Sequence, residues 1–208
     1  LCLFRGLQMG PVSIVAPIAA INPLFVFLIR YVLGSEPTLL QWMATIVVIS
    51  GAILVSISAD SHQESLGLNK KQIKESVLIS FIASVTLALG LIFSQEATNT
   101  LEPLETVIYI RFFSLLGIAS ILLFSKSKIF ITKKAIPILF FQGILETTGY
   151  FCLVSAYAFD RVSIAVVISS GFGLVTVILA RFILKEKISK IQGSGIFLTF
   201  LGVIGLTI

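Results

Sequence analysis

The chain has 208 residues, of which 57% are hydrophobic and 12% charged, with a mean hydropathy of +1.07. Soluble domains carry about a quarter charged residues to cover their surface, so this composition excludes a water-soluble globule and indicates an integral membrane protein. The net charge of +5 sits in short loops between apolar blocks, which points to membrane topology and away from nucleic acid.

In chain order, Leu1–Phe4 enters apolar sequence without the basic region and full apolar core of a signal peptide. It reads as the tail of a helix ending near Gln8, so the chain is expected to be a fragment. Seven full spans follow, at about 13–33, 39–59, 76–95, 104–124, 135–159, 162–183 and 191–208. The apolar blocks are too long for barrel strands and do not alternate. The predicted fold class is therefore all-α integral membrane, with about seven full transmembrane helices plus the end of an eighth. Connections carry turn chemistry at Gly34-Ser35-Glu36-Pro37, Leu101-Glu102-Pro103 and Asp160-Arg161. The longest, polar connection, 60–75, holds the sole histidine, His62. The two cysteines, Cys2 and Cys152, lie in apolar stretches and form no disulfide or zinc framework.

Sliding the chain by 150 residues superposes Cys2-Leu3 on Cys152-Leu153, Val12-Ser13-Ile14 on Val162-Ser163-Ile164, and Glu36 on Glu186. One inserted residue then aligns Gln41 with Gln192, Ala44 with Gly195, and Gly51 with Gly202. Ordered Ser, Glu, Gln and Gly matches are not an accident of apolar composition, and they predict a duplication. Four spans separate 13–33 from its partner 162–183, so the repeats are expected to run in opposite senses through the bilayer. The offset also implies that about 75 residues of the first repeat precede Leu1.

At these positions the chain resembles the EamA-type transporters of the drug/metabolite transporter superfamily. The motifs are Gly10-Pro11-Val12-Ser13-Ile14-Val15-Ala16-Pro17, Asn22-Pro23-Leu24-Phe25, Glu36…Gln41…Gly51, Glu102-Pro103…Arg111 and Ser163…Glu186…Gln192…Gly202-Val203. Gly173 stands where the first repeat has Pro23. The resemblance implies ten helices in two five-helix inverted repeats and export or exchange of small metabolites. The expected domains are 1–59, the C-terminal part of a first repeat; 60–75, a linker; and 76–208, the second repeat.

Twelve Lys and Arg fall on one side of the spans, among them Lys126, Lys128, Lys133 and Lys134, against Arg30, Arg111 and Arg161 on the other. The positive-inside rule places the richer side in the cytoplasm and Ile208 outside. The resembled family often has both termini inside, which predicts the reverse.

Glu146 is the charge deepest inside a span, where a carboxylate is costly and is by default a functional hypothesis. On a helix of about 3.6 residues per turn, Gln142, Glu146, Tyr150 and Tyr157 fall within about a quarter of a turn of one another. They form a polar stripe with aromatic walls that Leu153 interrupts. The alternative is a structural glutamate hydrogen-bonded to a neighbouring helix. Such a carboxyl suits proton coupling or a cationic substrate. Asn22-Pro23 mid-span predicts a kink, either a cavity-lining hinge or static packing. The small-residue faces Ser169/Gly173/Thr176, Gly195/Thr199/Gly202 and Ser80/Ser84/Ala88 are packing surfaces, with Ser169 also a candidate for binding. Glu36 and Glu186 read as cap or interface residues. Arg111, two turns inside its span, is expected to reach back to the surface. Trp42 and Tyr31 read as interfacial anchors.

The leading function is a secondary transporter of a small metabolite or drug-like molecule, working by alternating access between inverted repeats of the cell membrane. No G-x-x-x-x-G-K-[ST] loop is present, so the energy comes from substrate or ion gradients. A non-transporting scaffold or sensor, and a lipid-modifying enzyme, are the alternatives; scattered carboxylates and a lone histidine disfavour catalysis. The expected partners are a small-molecule substrate, the lipid bilayer and a proton or other coupling ion. A homodimer is left open, and no cofactor, metal or nucleic acid is expected. The candidate substrate-binding residues are Glu146, Gln142, Tyr150, Tyr157, Asn22 and Ser169.

Overall fold

A computed structural model describes residues 2–34, 36, 38–61, 70–125, 132–158, 165, 169, 171–185 and 188–206; for 56–61, 70, 125, 134 and 158 it describes the backbone alone. His62, Lys126, Lys128, Asp160, Arg161, Ser163, Glu186 and Ile208 lie outside these residues. Among the described residues the secondary structure is helical throughout. The helices are α1 (Cys2–Met9), α2 (Val12–Ala19), α3 (Asn22–Val32), α4 (Leu39–Ser61), α5 (Lys70–Thr98), α6 (Pro103–Ser125), α7 (Ile136–Ala158), α8 (Phe172–Ile183) and α9 (Lys190–Gly205). A 3-10 turn at Lys133–Ala135 leads into α7. Four segments, Val12–Val32, Lys71–Thr98, Pro103–Phe124 and Ile136–Tyr157, are long and apolar enough to cross a bilayer. Shorter apolar helices occupy Leu39–Val55, Phe172–Ile183 and Lys190–Gly205.

The expected spans 13–33, 76–95, 104–124 and 135–159 recur among the four long apolar segments, 39–59 and 191–208 recur as apolar helices, and of 162–183 only 165, 169 and 171–183 are described. There are two differences. Residues 70–75, expected in the linker, are helical: Ile73 is buried, and Lys71 Nζ lies 4.0 Å from Glu75 one turn on. The expected span 13–33 is two helices. Asn22-Pro23 is not a kink within one helix but the start of α3, where proline's fixed φ suits the first turn. Gly34, with φ 98°, then turns the chain beyond α3.

The chain divides into two compact units, one of Leu1–Ile92 with Val166–Ile208 and one of Phe93–Ala165. The first holds a core of Ile14, Ile18, Ile21, Val48, Val55, Val177 and Val203. Two of its prolines, Pro17 and Pro23, each free the carbonyl four residues earlier. Pro17 frees that of Ser13, and Gln192 of α9 donates its Nε2–H to it at 2.9 Å. Pro23 frees that of Ala19, and Asn22 donates its Nδ2–H to it at 3.3 Å. A buried carbonyl without a donor would cost about 1–3 kcal/mol, so two side-chain amides complete what the prolines interrupt.

Helices α4 and α9 pack closely because small residues meet along both. A Cβ on Gly51 would lie 2.5 Å from Thr199 N and 2.7 Å from Gly195 O. One on Gly202 would lie 2.7 Å from Val48 N and 3.0 Å from Ala44 O. The contacts descend α9 as they ascend α4, so the helices are antiparallel. They are also reciprocal under the repeat offset: Gly51 corresponds to Gly202, Ala44 to Gly195 and Val48 to Thr199. Self-complementary contacts of this kind are those made across a two-fold axis. Gly173 of α8 meets Ala20, 2.5 Å from its would-be Cβ, and Ala16 O at 3.2 Å. Gly6 of α1 and Gly10 just beyond it lie against Ser80 and Ser76 of α5. Glycine and alanine thus remove the side-chain layer that would hold these backbones apart.

In the second unit α6 and α7 are neighbours with little burial of their apolar surface. Nothing lies within 4 Å of a Cβ built on Gly117, Gly143 or Gly149.

Candidate functional site

Arg111 and Glu146 face each other from α6 and α7. Arg111 lies about 12 Å along α6 from its start and Glu146 about 15 Å along α7, at about 1.5 Å per residue. Both therefore fall near mid-span. Arg111 Nη2 is 2.6 Å from Glu146 Oε2. The guanidinium carbon also lies 5.4 Å from the centre of the Tyr150 ring, within reach of a cation–π attraction. The Tyr150 hydroxyl in turn hydrogen-bonds Ser94 Oγ, near the end of α5. Arg111 Nε has no hydrogen-bond partner among the described residues.

The arrangement follows from helix geometry. Glu146 and Tyr150 are four residues apart and share a face; the longer Arg111 side chain spans both. The guanidinium forms a close ion pair with the exposed carboxylate, without hydrogen-bond geometry at Nη2, and lies over a ring whose hydroxyl bonds Ser94. Chemically, the group offers one anion, one cation, an aromatic wall and a hydroxyl pair. These are complementary to a small polar or charged solute. The Arg111 side chain, read as able to reach back toward the surface, turns its charge to Glu146 while staying partly exposed.

Of the six expected site residues, Glu146 and Tyr150 meet around Arg111. Gln142 is exposed one turn before Glu146 on α7, and Tyr157 is buried two turns beyond Tyr150. Asn22 and Ser169 belong to the other unit. Asn22 is 4% exposed; its Nδ2 is occupied by Ala19, while Oδ1 has no hydrogen-bond partner among the described residues. Ser169 is helical and half-buried. Glu36 is exposed, and Trp42 stacks edge-on with Tyr31 at 5.2 Å and with Phe27 at 5.8 Å. Cys2 and Cys152 are free, and no group of three metal-ligating side chains occurs among the described residues.

A family model, the EamA-like transporter family, matches residues 1–57 and 74–208. The chain belongs to the EamA-like transporter family. No curated protein and no solved structure gives a significant match. As a family member with several apolar helices, the chain is a multi-pass integral membrane protein of transporter type.

Several partnerships in this EamA-like chain were not read from the sequence. The Arg111–Glu146 pair had a signal: two opposite charges, each mid-span, in consecutive spans. The Gln192–Ser13 bond had one in Pro17, four residues after Ser13. Thr38-x-x-Gln41 and Ser189-x-x-Gln192 are matching helix-capping sequences one repeat apart. The first closes as a box, with Thr38 N donating to Gln41 Oε1 at 3.0 Å and Gln41 N donating to Thr38 Oγ1 at 3.3 Å. In the second, Gln192 N donates to Ser189 Oγ at 3.1 Å, but the Gln192 amide is drawn away to Ser13. The Ser94–Tyr150 contact joins residues 56 apart and had no local signal.

Proposed function

We propose that this protein is a secondary transporter that exports or exchanges a small metabolite or drug-like molecule by alternating access between inverted repeats of the cell membrane. Family membership supports transport in general. The observation that carries the finer reading is the Arg111–Glu146 pair against Tyr150 at mid-span. A membrane helix keeps a charge at that depth at a cost, and such charges mark substrate or ion paths. Gln142, next along α7, and Tyr157 extend the polar and aromatic stripe. The reciprocal, antiparallel packing of α4 on α9 supports an inverted duplication, an architecture built for rocking between two faces. Within their own unit, Asn22 Oδ1 and Ser169 are proposed as separate polar contacts for a solute.

The test is solute flux in proteoliposomes, using a panel of radiolabelled amino acids, polyamines and lipophilic cations. Glu146→Gln keeps the shape of the site but removes its negative charge. Flux of the solute that wild type carries should fall at least about tenfold, with the amount of protein in the membrane unchanged. Equal flux in the two proteins overturns Glu146 as a substrate-binding residue.

A further inference from the structure

We propose that Arg111 is a built-in counter-cation for Glu146, holding the carboxylate in the empty carrier so that the site changes sides without taking up a proton; this rests on the transport reading above. An isolated carboxylate inside a bilayer must be neutralised, and three agents can do it: a proton, a bound cation or a fixed positive side chain. Here the third is in place. Arg111 Nη2 meets Glu146 Oε2 at 2.6 Å, and the charge pair is neutral as a unit. Tyr150 steadies the guanidinium from its face, and Ser94 fixes the ring that does so. A carrier with such a site can return empty, so that net transport is driven by the substrate gradient alone.

Other charged and titratable groups near Glu146 do not compete for it. On α6, Glu105 lies about 9 Å of helix rise from Arg111. Its Oε2 accepts from Glu102 N at 3.2 Å at the start of the helix. Tyr109, also on α6, is 51% exposed. Lys133, on the turn that packs against α7, is about 20 Å of helix rise from Glu146. On α5, Glu96 accepts from Asn99 Nδ2 at 3.1 Å. On α7 itself Tyr150 is engaged by Ser94, Cys152 is exposed, and Tyr157 is about three turns on. Only Arg111 supplies a positive charge to Glu146 among the described residues.

The pairing is read by infrared difference spectroscopy on the protein in lipid vesicles at neutral pH, where a neutral carboxyl and a carboxylate give separate bands. Subtracting the spectrum of Glu146→Gln from wild type should leave carboxylate bands only. Subtracting Arg111→Gln/Glu146→Gln from Arg111→Gln should leave a neutral carboxyl band, because the abandoned carboxylate takes up a proton. Arg111→Lys, which keeps the charge, should restore the carboxylate. The functional arm needs no known substrate. In a Cys2→Ser/Cys152→Ser background, Gln142→Cys is labelled by an impermeant thiol reagent from either face of the vesicle. The ratio of the two rates cancels the thiol's own titration. It should stay constant across neutrality with Arg111 present and change at least twofold in Arg111→Gln. A neutral carboxyl band in wild type that Glu146→Gln removes overturns the proposal, even where Arg111→Gln does not reach the membrane. A pH-dependent ratio in wild type overturns it too. Absence of solute flux by wild type would instead strike the transport reading and leave the infrared result standing.

Discussion

Val12–Val32 and the two helices α6 and α7 are all apolar enough to span a bilayer, yet they use their surroundings differently. Within their most apolar stretches, 67% of Val12–Val32 is buried against protein, and 6% of each of α6 and α7. In the first unit polar side chains serve the backbone: Gln192 and Asn22 replace N–H groups that Pro17 and Pro23 lack, and Thr199 Oγ1 donates to Gly195 O at 2.9 Å. In the second, Ser120 and Ser155 likewise donate to carbonyls one turn back, but Arg111, Glu146, Tyr150 and Ser94 also serve one another across helices. The first arrangement fixes a close-packed scaffold. The second leaves charge and an aromatic face in an otherwise apolar span, which is where solute chemistry is expected.

The strongest way to break this contrast is a pair of glycine substitutions. Gly51→Leu puts a side chain where the Cβ alone would be 2.5 Å from the Thr199 backbone nitrogen, and backbone cannot step aside as a side-chain tip can. A cost of about 3 kcal/mol or more is expected, seen as loss of folded protein in detergent. Gly149→Leu on α7, with open space around it, should stay within about 0.5 kcal/mol of wild type in the same thermal unfolding assay. Equal damage from both would remove the distinction between the units.

The two glutamines give a smaller and sharper comparison. Gln192→Leu removes the 2.9 Å bond to the Ser13 carbonyl and should cost about 1–3 kcal/mol. Gln41→Leu opens an exposed capping box and a long, part-buried bond to Leu206 O at 3.5 Å, and should cost about 0.5–1 kcal/mol. Pro17→Ala returns an N–H four residues after Ser13, so in that background Gln192→Leu should cost measurably less. A double-mutant cycle on unfolding free energies checks this; additive costs would mean that the Gln192 bond does not answer the proline.

The least perturbing test concerns orientation. Arg111, paired within the span, leaves the count of loop charges, so the excess on the Lys133 side is larger than it first reads. In a Cys2→Ser/Cys152→Ser background, Thr100→Cys should react with an impermeant thiol reagent on intact cells and Ser127→Cys should not. Labelling at Ser127→Cys alone would reverse the orientation.

Much of the fold was legible in the sequence because apolar length is imposed by the bilayer. The ends of α4, α6 and α7 fall within a few residues of expectation. The start of α5 was not legible, because Lys70–Glu75 is polar yet helical, held by a buried Ile73 and a Lys71–Glu75 pair. The break before Asn22 was expected as a bend, since proline reports that a helix is interrupted without saying whether it restarts. Of the site, periodicity placed Glu146 and Tyr150 on one face. It could not supply Arg111 or Ser94, which come from other helices, because a wheel describes one helix at a time.

The Arg111–Glu146 pair is expected to serve transport and not folding, and thermal unfolding and solute flux on one preparation of Glu146→Gln beside wild type separate the two. The midpoint should lie within a few degrees of wild type and the flux should fall at least about tenfold. Wild-type flux with a sharply lowered midpoint would contradict this and make the pair a structural tie between α6 and α7.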